Sequence, residues 1–223
     1  MKGINLELQK YIEEQILPLY DNNIGGHGIS HIKFVIERSF ELINEFKLNL
    51  NLNMGYTIAV FHDIGYKINP DNHEAISAQI FLDDINMKRF FTDNEINLIA
   101  EAIIDHRASL EYEARSVYGK IVSSADREIS VENMLKRSIL FQKDKHKDEC
   151  PTNMQIIDYS YKKLLSKYGK DGYAKMYFPD KKYLDYINKI QELLDNKNKF
   201  VETELKIIEE LGLDNDNLKL IKT

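Results

Sequence analysis

A histidine–aspartate pair follows an apolar run in the segment Ala59-Val60-Phe61-His62-Asp63-Ile64-Gly65. The apolar run predicts a buried helix that ends near the pair, because a helix-stopping glycine follows two residues later. A buried carboxylate must be ion-paired, hydrogen-bonded or bound to a metal ion. Adjacent residues on a helix do not face each other, yet His62 and Asp63 can converge on a metal ion beside the helix end. Such an ion needs further ligands from elsewhere in the chain.

Further ligand-type side chains stand at or near the ends of predicted helices, next to apolar stripes: His31, His73, His106 and Asp126. In a bundle with short connections, the ends of several helices can meet at one point. Imidazole and carboxylate groups suit divalent ions, here manganese, iron, nickel, zinc or magnesium. The lack of a cysteine ligand argues against a structural zinc site. The sequence therefore predicts one or two divalent metal ions per chain.

The elements that position these residues are predicted to be helices. Only four prolines and ten glycines interrupt the chain, and helical periodicity dominates between them without a sustained strand pattern. The fold class is therefore predicted to be all-α. Amphipathic segments cover about 6–17 and 29–46, and composition predicts a loop at 21–28 between them.

The helices after the His62 segment have recognisable starts. Asp71 is a plausible N-cap because Glu74 follows three residues later, and Thr92 with Glu95 forms a clearer capping box. The second of these helices leads to His106. A further helix, over about 116–127, reaches Asp126.

The C-terminal third predicts helices but no chemistry. A charged loop covers about 143–149, and two helical segments follow from about residue 153, split by Gly169 to Pro179. We therefore expect a metal-binding helical core with an N-terminal helix at 1–142. A helical extension at 143–223 is expected to pack on that core.

Composition and charge exclude several classes of protein. The net charge of −6 and the pI near 5.6 argue against a nucleic-acid or membrane-surface binder. No apolar run approaches the roughly 20 residues of a membrane span, and the N-terminus lacks an apolar signal core. The single cysteine, Cys150, excludes an intrachain disulfide and fits a reducing cytoplasm. A homodimer is left open.

The order and spacing of the candidate ligands resemble the HD-domain superfamily of metal-dependent phosphohydrolases. The resemblance covers about residues 20–140, and three matches carry it: Ser30-His31-Ile32-Lys33-Phe34-Val35, the pair His62-Asp63, and Ser123-Ser124-Ala125-Asp126-Arg127. It implies an HD-type helical bundle with additional C-terminal helices. It also implies that His31, His62, Asp63 and Asp126 bind the principal metal ion, with His62 and Asp63 central to catalysis.

Two more histidines look like the extra ligands of binuclear members of that superfamily. His73 lies in Asn72-His73-Glu74-Ala75-Ile76-Ser77, and His106 lies in Ile104-Asp105-His106-Arg107. If both bind, Asp63 would bridge two ions. The alternative is that they contact substrate or are only hydrogen-bonded. The GYP signature and a doubled histidine at His106 are both missing, which argues against a cyclic-dinucleotide phosphodiesterase.

Four residues are candidates for binding substrate. Arg107 follows a proposed ligand, and its planar guanidinium suits a phosphate group. Lys67 and Lys120 are weaker candidates of the same kind. His27 is expected to lie over the site from its loop, and the alternative is that its side chain is exposed to solvent. The alternative for Arg107 is a salt bridge to a nearby carboxylate. The same alternative applies to Arg127, for which it is the preferred interpretation.

The leading functional prediction is a metal-dependent phosphohydrolase. Its substrate would be a small phosphorylated molecule, with a nucleotide as the expected class, and a metal-activated water would attack phosphorus. One alternative is a diiron oxygenase of the same superfamily, which uses the same ligand types. Another is a non-catalytic sensor that keeps the site for ligand binding.

Overall fold

The structure, a computed structural model, describes residues 3–21 and 27–213, so residues 22–26 of the predicted loop lie outside the described part. Within that part the regular structure is helical and contains no strand, which confirms the all-α prediction. None of the described helices has the length and apolarity needed to cross a bilayer. The α-helices are α1 (Leu6–Tyr11), α2 (Ile29–Glu45), α3 (Leu52–Phe61), α4 (His73–Asp83), α5 (Asp93–Ile104), α6 (Val117–Ala125), α7 (Val131–Lys145), α8 (Asn153–Tyr168), α9 (Lys181–Asp195) and α10 (Lys197–Glu210).

The chain forms two compact units that are not consecutive in sequence. The first contains the described residues of Met1–Arg127 together with Lys175–Asp180. The second contains Glu128–Ala174 and the described residues of Lys181–Thr223, and within it α7 packs with α8 and α10. The predicted division at residue 142 and the packing of the later residues on the core stay predictions.

Helix α3 is the centre of the first unit because its side chains are apolar or small on every side. All residues from Met54 to Phe61 are buried, and α2, α5 and α6 pack against this helix. A helix that is apolar all round is stable only inside a protein. The Tyr20 hydroxyl donates a 2.6 Å hydrogen bond to the carbonyl of Val60. That bond satisfies a carbonyl in the last turn, directly before His62 and Asp63.

Two predicted helix starts had different outcomes. The capping box is confirmed, because the Thr92 side chain accepts from the Glu95 backbone while the Glu95 carboxylate accepts from the Thr92 backbone. The prediction of Asp71 as an N-cap is wrong. A 3-10 turn, Pro70–Asn72, comes first, the Asn69 side chain accepts from Asp71 N, and α4 begins only at His73. The proline starts the short turn because its missing N–H is not needed there.

Gly65 allows α4 to approach the end of α3 closely. A Cβ at Gly65 would lie 2.8 Å from the His73 carbonyl oxygen and 2.8 Å from Ser77 N. The Gly65 N–H also donates to Ser77 Oγ at 2.9 Å. This contact brings His73, at the start of α4, to the His62-Asp63 pair.

The second unit consists of α7–α10, and here the prediction of two helical segments after residue 153 is wrong. The break at Gly169 to Pro179 is present, but a further break at Asn196 separates α9 from α10. The Asn196 side chain accepts from Lys199 N at 3.1 Å and so caps α10. Asparagine is a favoured N-cap residue, which is the sequence signal for this break.

A buried polar chain links three helices of the second unit. Ser160 Oγ donates to Glu204 Oε1 at 2.5 Å, and Ser138 Oγ lies 2.7 Å from Ser160 Oγ. Glu204 is fully buried, and burial raises the pKa of its carboxyl group to about 8 although the Ser160 hydrogen bond lowers it. Glu204 is therefore protonated and neutral at pH 7.

We predict that Gly65→Ala destabilises the protein by about 1–3 kcal/mol, because the new methyl group meets backbone atoms that cannot move independently. Gly55→Ala is the matched control, since its Cβ would meet only Ile43 Cδ1 at 3.5 Å. In the interior of α3 that change should be neutral or stabilising by up to about 1 kcal/mol. Urea unfolding of both variants measures the difference. Equal stability of the two variants would contradict the close approach at Gly65.

We predict that Glu204→Gln changes the pH dependence of stability. The unfolded state ionises Glu204 above its ordinary pKa of 4.5, whereas the folded state resists ionisation up to about 8. The wild-type free energy of unfolding should therefore fall as pH rises through this range. The glutamine variant lacks that loss, so its advantage over wild type should grow by about 3 kcal/mol between pH 5 and pH 7.5. Glu209→Gln, at an exposed position of α10, is the control and should show no such growth.

Candidate metal centre

Six histidine and aspartate side chains meet where helices begin or end. His31 lies in the first turn of α2, and His73 is the first residue of α4. The other four directly follow or lie within two residues of the last residues of α3, α5 and α6. The six residues are His31, His62, Asp63, His73, His106 and Asp126. The structure thus brings together every ligand candidate that the sequence indicated, and these groups could hold a metal ion.

The first ligand set consists of His31, His62 and Asp126 around one oxygen of Asp63. His31 Nε2 and His62 Nε2 each lie 3.3 Å from Asp63 Oδ2. Asp126 Oδ1 lies 3.1 Å from His31 Nε2 and 3.8 Å from His62 Nε2. Adjacent ligands of one ion, each about 2.1 Å from it, lie roughly 3.0–3.4 Å apart at tetrahedral or octahedral angles. The spacing of this set is therefore close to that of a coordination shell.

The second ligand set consists of His73 and His106 around the other oxygen of Asp63. His73 Nε2 and His106 Nε2 lie 3.4 Å and 3.6 Å from Asp63 Oδ1. The two Nε2 atoms lie only 3.1 Å from each other. Asp63 therefore presents Oδ2 to the first ligand set and Oδ1 to the second, which is the arrangement of a bridging carboxylate.

Backbone hydrogen bonds fix three of the histidine rings. The Nδ1 atoms of His62, His73 and His106 lie 2.9, 2.8 and 2.6 Å from carbonyl oxygens three residues earlier in the chain. Nδ1 must carry the proton in each bond, so a neutral ring presents an Nε2 lone pair to Asp63. Metal-binding histidines are held in this way. At 3.1 Å the lone pairs of His73 and His106 would repel each other unless a proton or a metal ion lies between them.

The cluster also contains buried nitrogen atoms without a hydrogen bond. His31 Nε2 and His62 Nε2 are buried and lack a hydrogen bond of acceptable geometry, although carboxylate oxygens lie near them. A buried polar atom left in this way costs free energy. Coordination of a divalent ion by these atoms would remove the cost, and nitrogen and carboxylate donors suit such an ion. The residues therefore fit a metal ion.

The electrostatics of the site favour a cation. Burial opposes ionisation of Asp63, but His62 and the other surrounding histidines hold the pKa of its carboxyl group well below the usual range. Burial also lowers the pKa of His31, yet Asp126 and Asp63 outweigh this effect and raise it to about 9. Asp63 is thus ionised at neutral pH. Without a metal ion, protons on the histidines must balance its charge.

His27 lies at the partly open side of the cluster. Its Nδ1 lies 2.7 Å from Asp63 Oδ2, and its ring stacks on Tyr66 with centroids 3.7 Å apart. The side chains of His27 and Asp126 are 18% and 22% exposed, whereas that of His62 is 0% exposed. The cluster therefore opens to solvent beside His27 and Asp126.

The cationic residues that were predicted to bind substrate either form ion pairs with carboxylates of the protein or are exposed to solvent. Arg107 Nη1 donates at 2.7 Å both to Glu74 Oε1 and to the Asp71 carbonyl. Lys120 Nζ donates to Glu113 Oε1 at 2.5 Å, and Lys67 is exposed in the turn after α3. Partly exposed ion pairs are weak enough to open. Substrate binding by Arg107 or Lys120 stays a prediction and requires that opening.

Asp105 is a buried site residue that the sequence did not single out. It is fully buried beside His106 and accepts from the Arg115 backbone at 2.6 Å and from Arg115 Nη2 at 2.9 Å. Gly119 of α6 approaches so closely that a Cβ there would lie 2.9 Å from Asp105 Cβ. Asp105 therefore ties the connection between α5 and α6 to the end that carries His106. An aspartate next to a ligand histidine was the available signal.

Comparison with known proteins adds no relative. No family model matches the chain, and neither a curated protein nor a solved structure matches it. Membership of the HD-domain superfamily therefore stays a prediction from the sequence.

We predict that changing His73 and His106 together to alanine removes one of two manganese sites. The first ligand set and Asp63 remain, so one site should persist. Calorimetric titration of manganese into the full chain measures the stoichiometry. His146→Ala is the control because His146 lies outside the cluster and pairs with Glu149. Two remaining sites in the double variant would show that the second ligand set does not bind manganese.

Proposed function

We propose that this protein is a metal-dependent phosphohydrolase of the HD-domain type that acts on a small phosphorylated molecule, with a nucleotide as the expected class. The proposal rests on one observation, which is that the two carboxylate oxygens of Asp63 face different ligand sets. They lie 3.3 Å from imidazole nitrogens of the first set and 3.4 and 3.6 Å from those of the second. Two divalent ions bridged by a carboxylate suit hydrolysis of phosphate esters and anhydrides.

The candidate ligands would form two metal-binding sites that share Asp63. His31, His62 and Asp126 would hold one ion with Asp63, and His73 and His106 would hold the other. When bound, such ions supply an activated water and neutralise charge on phosphoryl oxygens. The backbone bonds to Nδ1 keep the rings oriented before any ion binds. Buried surroundings strengthen these charge interactions.

The exposure pattern supports an approach of substrate beside His27 and Asp126. His27 holds Asp63 Oδ2 by a 2.7 Å hydrogen bond, so it would fix the plane of the bridging carboxylate at the open side. Tyr66 stacks on His27 and also meets His73 edge to face, with centroids 5.4 Å apart. These rings would shield part of the cluster from bulk water. A cytoplasmic setting belongs to the proposal because the single cysteine is free.

We predict that Asp63→Asn and His62→Ala abolish phosphate or pyrophosphate release from a panel of phosphorylated metabolites while circular dichroism shows unchanged helix content. Removing a residue that only hydrogen-bonds to a metal ligand already costs roughly 10- to 100-fold in metal affinity or activity. Loss of a direct ligand should therefore cost more than about 100-fold. Asp148→Asn and His146→Ala change residues of the second unit that are not among the candidate ligands, so both control variants should retain wild-type rates.

The same purified protein distinguishes the phosphohydrolase from the two alternative functions. Metal content, oxygen uptake and phosphate release are all measured on it. Iron content with substrate-dependent oxygen consumption and no phosphate release would replace the proposal by a diiron oxygenase. Tight binding of a phosphorylated ligand without turnover, in metal-loaded protein, would replace it by a sensor.

A further inference from the structure

A six-residue segment returns to the first unit from the C-terminal part of the chain. This returning segment, Lys175–Asp180, belongs to the first unit although the residues before and after it belong to the second. Lys175 Nζ donates to the carbonyls of Leu110 and Tyr112 at 3.1 and 3.2 Å. At the end of the segment, Asp180 forms a buried ion pair with Arg38 of α2.

The middle of the returning segment is fastened to α6 and to the connection before it. Tyr177 N donates to Ser124 Oγ at 3.2 Å, and the Tyr177 hydroxyl accepts from Ala114 N at 3.0 Å. Ser124 lies two residues before Asp126. The segment therefore supports the last turn of the helix that presents a ligand of the first set.

Arg127 connects the returning segment to the ligand itself. Its side chain is 2% exposed. Nη2 donates to Ser123 Oγ at 2.9 Å, and Nε donates to the Lys175 carbonyl at 3.4 Å. The remaining nitrogen, Nη1, lies 3.7 Å from Asp126 Oδ2. Two bonds thus fix the guanidinium plane, and its charge faces the ligand carboxylate.

The two oxygens of Asp126 therefore have different surroundings. Oδ1 faces His31 and His62, whereas Oδ2 faces Arg127. A buried cation near one oxygen fixes the rotation of a carboxylate by charge attraction. It also lowers the tendency of that oxygen to bind a second cation. Asp126 is thus prepared to offer one oxygen to the first ligand set.

We infer that Arg127 is a positioning residue of the first ligand set, held by Ser123 and the returning segment so that Asp126 offers only Oδ1 to a metal ion. This inference rests on the proposed metal centre. It assigns a role in metal binding to residues from the C-terminal third of the chain. It also changes the interpretation of Arg127 from a surface salt bridge to a buried support of a ligand.

The test isolates the first ligand set by using the His73→Ala/His106→Ala background. Manganese affinity of the full chain is measured by titration with electron paramagnetic resonance. Arg127→Met should weaken binding about 10- to 100-fold, as for other outer partners of metal ligands. Arg127→Lys keeps a charge near Asp126 but not the planar fork, so it should recover part of the affinity. Arg89→Met, at an exposed arginine near Glu7, should leave the affinity unchanged.

A gentler variant covers the case in which Arg127→Met fails to fold. Ser123→Ala removes only the acceptor of Nη2 and should weaken manganese binding in the same direction by less. Wild-type affinity in a folded Arg127→Met or Ser123→Ala protein would overturn the inference, whatever the hydrolytic activity. Failure to release phosphate despite metal binding would overturn the proposed function and leave the role of Arg127 intact. A wild-type chain that binds no manganese would overturn both.

Discussion

The structure depends on the burial of one negative charge, the carboxylate of Asp63. A buried carboxylate without partners is very unfavourable, and here four histidines from the ends of four helices and the loop residue His27 surround it. The histidines cannot compensate the charge by themselves while they remain neutral. Either protons or metal ions must enter the cluster, and the nitrogen and carboxylate donors of both sets could hold metal ions.

The helix ends contribute to the same electrostatic requirement. Asp63, His106 and Asp126 each follow a helix C-terminus, where the unsatisfied carbonyl groups carry partial negative charge. Three such termini directed to one region lower the potential there and attract a cation. The carbonyls that accept from His62 Nδ1 and His106 Nδ1 belong to the same last turns of α3 and α5. One backbone feature therefore both orients the rings and favours the ion.

The sequence predicted those features that depend on neighbouring residues in the chain. The apolar run of α3 predicted a buried helix with an ionisable pair at its end. The positions of His31, His73, His106 and Asp126 at other helix ends predicted that these side chains would meet. The capping box at Thr92 was also predicted correctly. Asp71 misled because Pro70 and Asn69 make a competing turn at the same place. The partner of Arg107 could not be predicted from the sequence, because Glu74 reaches it only through the packing of α4 beside the end of α5. The partner of Asp105 could not be predicted either, because the fold of the connection between α5 and α6 decides where Arg115 lies. The place of the returning segment was not predicted, because its contacts join residues that are far apart in the sequence.

The pair between Arg38 and Asp180 has a consequence for biosynthesis. These residues are 142 positions apart in sequence, so they close one of the longest loops in the protein. Closing a loop of this length costs more chain entropy than closing a short one, and the second member of the pair is synthesised long after the first. Until residue 180 leaves the ribosome, the guanidinium of Arg38 lacks its buried counterion, and the connection before α6 lacks the lysine that binds its carbonyls. The first unit of the nascent chain therefore waits for most of the second to be translated before it can reach its native packing.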